Sequence, residues 1–106
     1  MNHYLGLDMG TTGVKAALFT TDGLMTGSGL AEYTLETPYP DFVEVDPEVY
    51  WRAACSAIAE ALRNARAAPE TVRAVGVTGQ AETLITVDAD GRPLRKAIVW
   101  LDNRAK

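Results

Sequence analysis

The stretch Leu5-Gly6-Leu7-Asp8-Met9-Gly10-Thr11-Thr12-Gly13-Val14-Lys15 decides how this chain is read. A short apolar strand ends in Asp8, a turn of glycines and hydroxyls follows, and Val14-Lys15-Ala16-Ala17-Leu18-Phe19 opens a second apolar strand. Without Cβ atoms, Gly10 and Gly13 let backbone N–H groups approach an anion, and Thr11 and Thr12 add hydroxyl donors around the same concavity. Asp8 falls at the strand end facing that concavity. A carboxylate beside phosphate oxygens repels them unless a cation intervenes, so Asp8 implies Mg²⁺, held directly or through water. Lys15 adds a positive charge. The spacing is neither that of the P-loop nor that of the G-x-G-x-x-G turn, which opens a helix; here a strand follows, so the phosphate loop is a hairpin turn. Taken alone, the stretch also reads as an ordinary Gly-Thr hairpin with a capping Asp.

Strands are expected at Tyr4 to Asp8, Val14 to Thr20 and Leu24 to Tyr33, with Thr21-Asp22-Gly23 as a tight turn, which makes an antiparallel meander. Leu35 to Glu44 carries Pro38 and Pro40 and reads as a fixed surface loop. A helix then begins: Asp46 is a good N-cap, Pro47 suits the first helical position and Glu48 the positive end of the dipole. Tyr50, Ala54, Ala57, Ile58, Ala61, Leu62 and Ala65 form an apolar stripe opposite Arg52, Ser56, Glu60 and Arg63, and Pro69 is expected to stop the helix. Strands follow at Arg73 to Thr78, Thr83 to Val87 and Ala97 to Trp100, giving the order βββαβββ.

With 106 residues, 47% of them hydrophobic, the chain supports one domain at most. Ten basic and fourteen acidic residues give a net charge of -4 without a basic stripe, which argues against nucleic acid as a partner. No apolar run is long enough for a membrane span and no secretory leader is visible, so the cytoplasm is the expected compartment. Cys55, the one cysteine, reads as a small buried filler in the helix, and His3 as a residue of a fraying terminus without a metal-ligand partner. Tyr39, Phe42, Tyr50 and Trp51 read as helix-and-loop core.

Two further clusters carry polar chemistry. Gln80, Ala81 and Glu82 stand in a turn just past a strand end, where an amide and a carboxylate suit the hydroxyls of a sugar or polyol. Trp100-Leu101-Asp102-Asn103-Arg104 sets an aromatic plane beside a carboxylate, an amide and a guanidinium, a set that packs sugar C–H faces and binds hydroxyls. Solvated turn residues and a charged tail are the plain alternatives at these places.

Together these segments resemble the N-terminal part of the FGGY carbohydrate kinases, which include xylulokinases, glycerol kinases and gluconokinases. Gly6 to Lys15 resembles the family's first phosphate motif, in a form closest to xylulokinases. Phe42 to Trp51 is similar to its loop-to-helix signature, and Gly76 to Glu82 and Trp100 to Arg104 to its substrate loops. The resemblance implies an α/β, ribonuclease-H-like, actin-like ATPase lobe, here partial: a mixed sheet with a three-strand antiparallel meander and a covering helix, residues 1–106 being the N-terminal part of the first domain. It implies ATP and Mg²⁺ as cofactors and a sugar or polyol as substrate. Asp8 would act at the metal, Gly10, Thr11, Thr12 and Lys15 near the phosphates, and Gln80, Ala81, Glu82, Trp100, Asp102 and Arg104 along the substrate. The general base is expected downstream, so the remaining kinase lobe would be a partner in cis or in trans, and a homo-oligomer stays open. Where glycerol kinases typically have Arg-Glu and xylulokinases Met-His, this chain has Ala81-Glu82, which leaves room for a larger or differently branched polyol. A non-catalytic sugar- or phosphate-binding module, paired with a separate chain, is the alternative.

Overall fold

The computed structural model describes residues 1–106. Its main sheet holds β1 (His3–Met9), β2 (Gly13–Thr20), β3 (Met25–Glu32) and β5 (Val72–Gly79), in the order β3-β2-β1-β5. The first three form the expected antiparallel meander, and β5 returns to lie parallel to β1. The return runs through the single helix α1 (Pro47–Ala65), as a parallel crossover requires. A second, two-stranded sheet pairs β4 (Glu44–Val45) with β6 (Ala97–Ile98).

Period-two alternation sends Leu5, Val14, Ala16 and Leu18 to the helix side, where they close a core with Ala53, Ala54, Ala57 and Ala61. The helix comes unusually close because β3 offers glycines beneath it. A Cβ on Gly29 would stand 2.1 Å from the Ala57 carbonyl oxygen, and one on Gly27 would stand 2.6 Å from that of Ala61. On the opposite face, Gly6, Asp8, Lys15, Ala17, Phe19, Gly76 and Thr78 line an open groove of about 410 Å³. Smaller apolar packing joins Val45, Tyr50, Ala97 and Val99 and reaches Met9 and Tyr33.

Asp46 caps α1 as expected, its carboxylate accepting the Glu48 amide at 3.0 Å. The helix ends earlier than Pro69, at Arg66, whose left-handed backbone (φ 53) turns the chain while the Arg66 and Ala67 amides donate to carbonyls of the last turn. Pro69 instead opens a single 3₁₀ turn, Pro69–Thr71. The expected strand at Thr83 to Val87 is absent, and only isolated bridges join Leu84 to Ile98 and Val87 to Pro93. Pro93 has no N–H with which to extend a ladder. Part of the Leu35 to Glu44 loop pairs after all, through a Glu36–Glu44 bridge.

Four residues stand elsewhere than the sequence suggests. His3 is buried, its Nδ1 2.9 Å from the Thr71 hydroxyl, because β5 continues alongside the first residues of β1. Cys55 is exposed, since the helix buries the stripe that runs through Ala54 and Ala57. Trp51 and Tyr39 are exposed as well, while Tyr50 is buried and Phe42 is half-buried under the Arg104 guanidinium, 3.9 Å above its ring. No helix is long and apolar enough to cross a membrane.

Candidate functional site

Because β1 and β5 are parallel neighbours, their carboxyl ends lie side by side, with Met9 beside Gly79. The loops that leave them, Gly10 to Thr12 and Gln80 to Thr83, therefore emerge together beside the point where the chain turns away into β2. Open α/β sheets bind ligands at such places.

The hairpin closes with the Gly10 amide donating to the Gly13 carbonyl at 2.9 Å. Gly10 is needed for closeness, since a Cβ there would lie 2.7 Å from that carbonyl oxygen. Its amide is thereby occupied, and the Thr11 and Thr12 amides are the ones without a partner in the chain. Asp8, Gly10 to Gly13, Lys15, Leu30 and Glu32 line a polar cleft of about 520 Å³. Asp8 is exposed and lies opposite Lys15 in the β1–β2 register. No group of three or more His, Cys, Asp or Glu gathers anywhere in the chain, and two carboxylates, Asp8 and Glu32, open onto this cleft.

Four side chains brace this hairpin. The Gly10 carbonyl accepts from the Tyr33 hydroxyl and from Gln80 Nε2 at 3.1 Å. Gln80 Nε2 also reaches the Tyr50 hydroxyl at 3.4 Å, and Tyr33 and Tyr50 meet edge to face with centroids 5.5 Å apart. Burial first, then Tyr50 and Asp8, push Tyr33 up to about 12, so its phenol keeps the proton it donates. The fourth brace is Trp100, whose indole N–H donates to Thr11 Oγ1 at 2.9 Å. Tyr50 is buried as its place in the apolar stripe implies, but nothing in the sequence beyond aromatic or hydroxyl character marks Tyr33, Tyr50 or Thr83 as neighbours of the hairpin.

The other expected residues fall into two groups. Ala81 and Glu82 are exposed on the loop after β5, Glu82 in a left-handed conformation (φ 66). Asp102 and Arg104 are engaged with each other. Asp102 Oδ1 accepts the Arg104 amide and Nε, and its Oδ2 accepts the Val43 amide at 2.7 Å and Arg104 Nη2 at 2.6 Å. Arg104 Nη2 also reaches Glu44 at 2.7 Å. This clamp fixes the segment that presents Trp100 against the β4 segment.

The Arg104 guanidinium, with the Arg104 and Val43 amides, holds the Asp102 carboxyl well below the usual carboxylate range. A depressed folded-state value contributes stability that is present above the unfolded value of about 3.9 and is lost as pH falls below it. Asp102→Asn is therefore expected to lower the urea midpoint at pH 7 and to flatten its fall between pH 5 and pH 3. An unchanged acid limb would deny the clamp its role.

The profile of the N-terminal domain of the FGGY family of carbohydrate kinases matches residues 3–106. This chain belongs to that family. A glycerol kinase of Thermococcus gammatolerans is 43% identical over 98 residues, 92% of this chain and 20% of its own length. Among solved structures, one described as a xyloylose kinase from Brucella ovis superposes with a TM-score of 0.87 at 38% identity, covering 97% of this chain and 22% of that one. A Plasmodium falciparum glycerol kinase solved with ADP gives 0.82 at 27% identity, covering 98% of this chain and 21% of that one. The lobe is thus the actin-like one expected, with its meander, mixed sheet and covering helix. The chain spans about a fifth of the length of the relatives it matches.

Proposed function

We propose that this chain supplies the phosphate-binding hairpin and part of the sugar-binding loops of an ATP-dependent carbohydrate kinase, which phosphorylates a hydroxyl of a sugar or polyol. The observation that carries the reading is the meeting of the three motif segments at the carboxyl ends of β1 and β5, where Trp100 and Gln80 both hydrogen-bond the phosphate hairpin. Family membership and a relative solved with ADP support it.

In this reading the free Thr11 and Thr12 amides and hydroxyls receive phosphate oxygens, and Lys15 offsets their charge. Asp8 is the carboxylate that would hold Mg²⁺, which when bound neutralises charge between that carboxylate and the phosphates. The donor set fits the ion, since Asp8 opens onto the same cleft as the free amides. Gln80 keeps its amide on the hairpin and so acts on the substrate through position, while Ala81 and Glu82 are free to face it. The Trp100 ring offers a surface for sugar C–H groups, and Asp102 and Arg104 hold that ring in place. The base that takes the acceptor proton lies, in this reading, in the remaining lobe.

The test is ADP formation by the protein carrying this chain, with Mg²⁺-ATP and a panel of pentoses, hexoses and polyols. Turnover that depends on one of them supports the kinase; sugar binding without ADP supports the non-catalytic module. Glu82→Gln is expected to weaken binding of the accepted sugar by roughly 1 to 3 kcal/mol, the loss typical of a hydrogen bond to a charged group. A KM and kcat unchanged across the panel would remove Glu82 from the site.

A further inference from the structure

The bonds around the hairpin close into a ring whose directions are all forced. An indole N–H can only donate, so Thr11 Oγ1, 2.9 Å from Trp100 Nε1, must accept. Trp100's main-chain N–H donates to Thr83 Oγ1 at 3.3 Å, and Thr83 in turn donates its one proton to Gln80 Oε1 at 2.9 Å. Gln80 Nε2 then donates to the Gly10 carbonyl, and Gly10 is bonded to Thr11. Both ends agree on the Gln80 amide orientation, since a carbonyl can only accept. The remaining proton in the ring is that of the Thr11 hydroxyl, which has no acceptor within the chain, while Thr11 itself lines the polar cleft.

We propose that Trp100 is a positioning residue: by occupying the Thr11 oxygen it turns the Thr11 proton toward an anion in the cleft, and so couples the aromatic loop to the phosphate hairpin. This rests on the kinase reading. A ligand that settles on the half-exposed Trp100 ring fixes the indole, and with it the Thr11 donor, before phosphate arrives. The coupling is reciprocal, so phosphate in the cleft also readies the ring.

The experiment measures affinity for Mg²⁺ with a non-hydrolysable ATP analogue in the protein carrying this chain. Trp100→Phe keeps a ring and removes the donor; Thr11→Val removes the acceptor; Thr11→Ser retains the hydroxyl. Each of the first two is expected to weaken the analogue about three- to tenfold, as loss of one hydrogen bond implies. The double variant should be no weaker than the worse single, and Thr11→Ser should stay near wild type. The ¹⁵N-labelled Trp100 indole N–H resonance, assigned by its disappearance in Trp100→Phe, should shift in Thr11→Val and again when analogue is added. Additive losses in the double variant, or an unweakened Trp100→Phe, overturn the inference alone. A wild type that binds no nucleotide overturns the kinase reading and this inference with it.

Discussion

Asp8→Ala will reduce phosphoryl transfer by about 10³-fold or more in kcat, leaving sugar affinity and stability close to wild type. Asp8 is exposed near the end of β1 and contributes to the sheet through its main chain, so removal of its side chain should change stability by less than about 0.5 kcal/mol. The loss falls on the chemistry because the phosphate cleft would keep its amides and Lys15 but lose the carboxylate that places a cation among the phosphates. Asp8→Asn, which keeps shape and loses charge, is expected to be nearly as poor. The assay is coupled ADP release with sugar affinity measured separately by calorimetry. Turnover within tenfold of wild type in either variant would take the metal role from Asp8.

Gly29→Ala will destabilise the protein by about 3 kcal/mol or more, at the upper end for overpacking. Its Cβ would overlap the Ala57 carbonyl oxygen at 2.1 Å and approach the Ala61 amide at 2.9 Å, and both are main-chain atoms that cannot swing aside. Relief requires α1 to lift from β3, which opens the core around Leu18 and Ala57. Gly23→Ala is the informative contrast. Nothing stands within 4 Å of that position, and only its φ of 88 opposes a side chain, so about 1 kcal/mol is expected. Urea midpoints that ranked the two alike would mean that the helix is not seated as closely as described.

The meander, the capped helix and the strand at Arg73 to Thr78 were legible because each is written locally, as in the Asp-Pro-Glu start at Asp46 and the turn at Thr21 to Gly23, whereas the parallel pairing of that strand with β1 is not. The phosphate hairpin was legible for the same reason. Its braces were not, because Tyr33 and Trp100 reach Gly10 and Thr11 across 23 and 89 residues and no periodicity encodes such meetings. Asp102 and Arg104 looked like ligand groups because charge beside an aromatic ring reads the same in a clamp as in a sugar site. In the structure both are engaged within the chain, Asp102 with Arg104 and the Val43 amide and Arg104 with Glu44 as well. Cys55 and Trp51 misled through residue type: a cysteine among alanines and a large aromatic in a helix both suggested burial, yet the helix turns them to solvent.

The reach from Trp100 back to Thr11 also sets an order of events in synthesis. The hairpin leaves the ribosome early, but the indole that completes it is 89 residues behind, a lag of about 4 to 18 s at ordinary translation rates. During that interval the nascent chain can fold its meander and dock its helix while the anion cleft still lacks its aromatic brace. Until then the Thr11 hydroxyl lacks its indole partner, and the hairpin is held first by Tyr33 and then by Gln80, each of which reaches the Gly10 carbonyl.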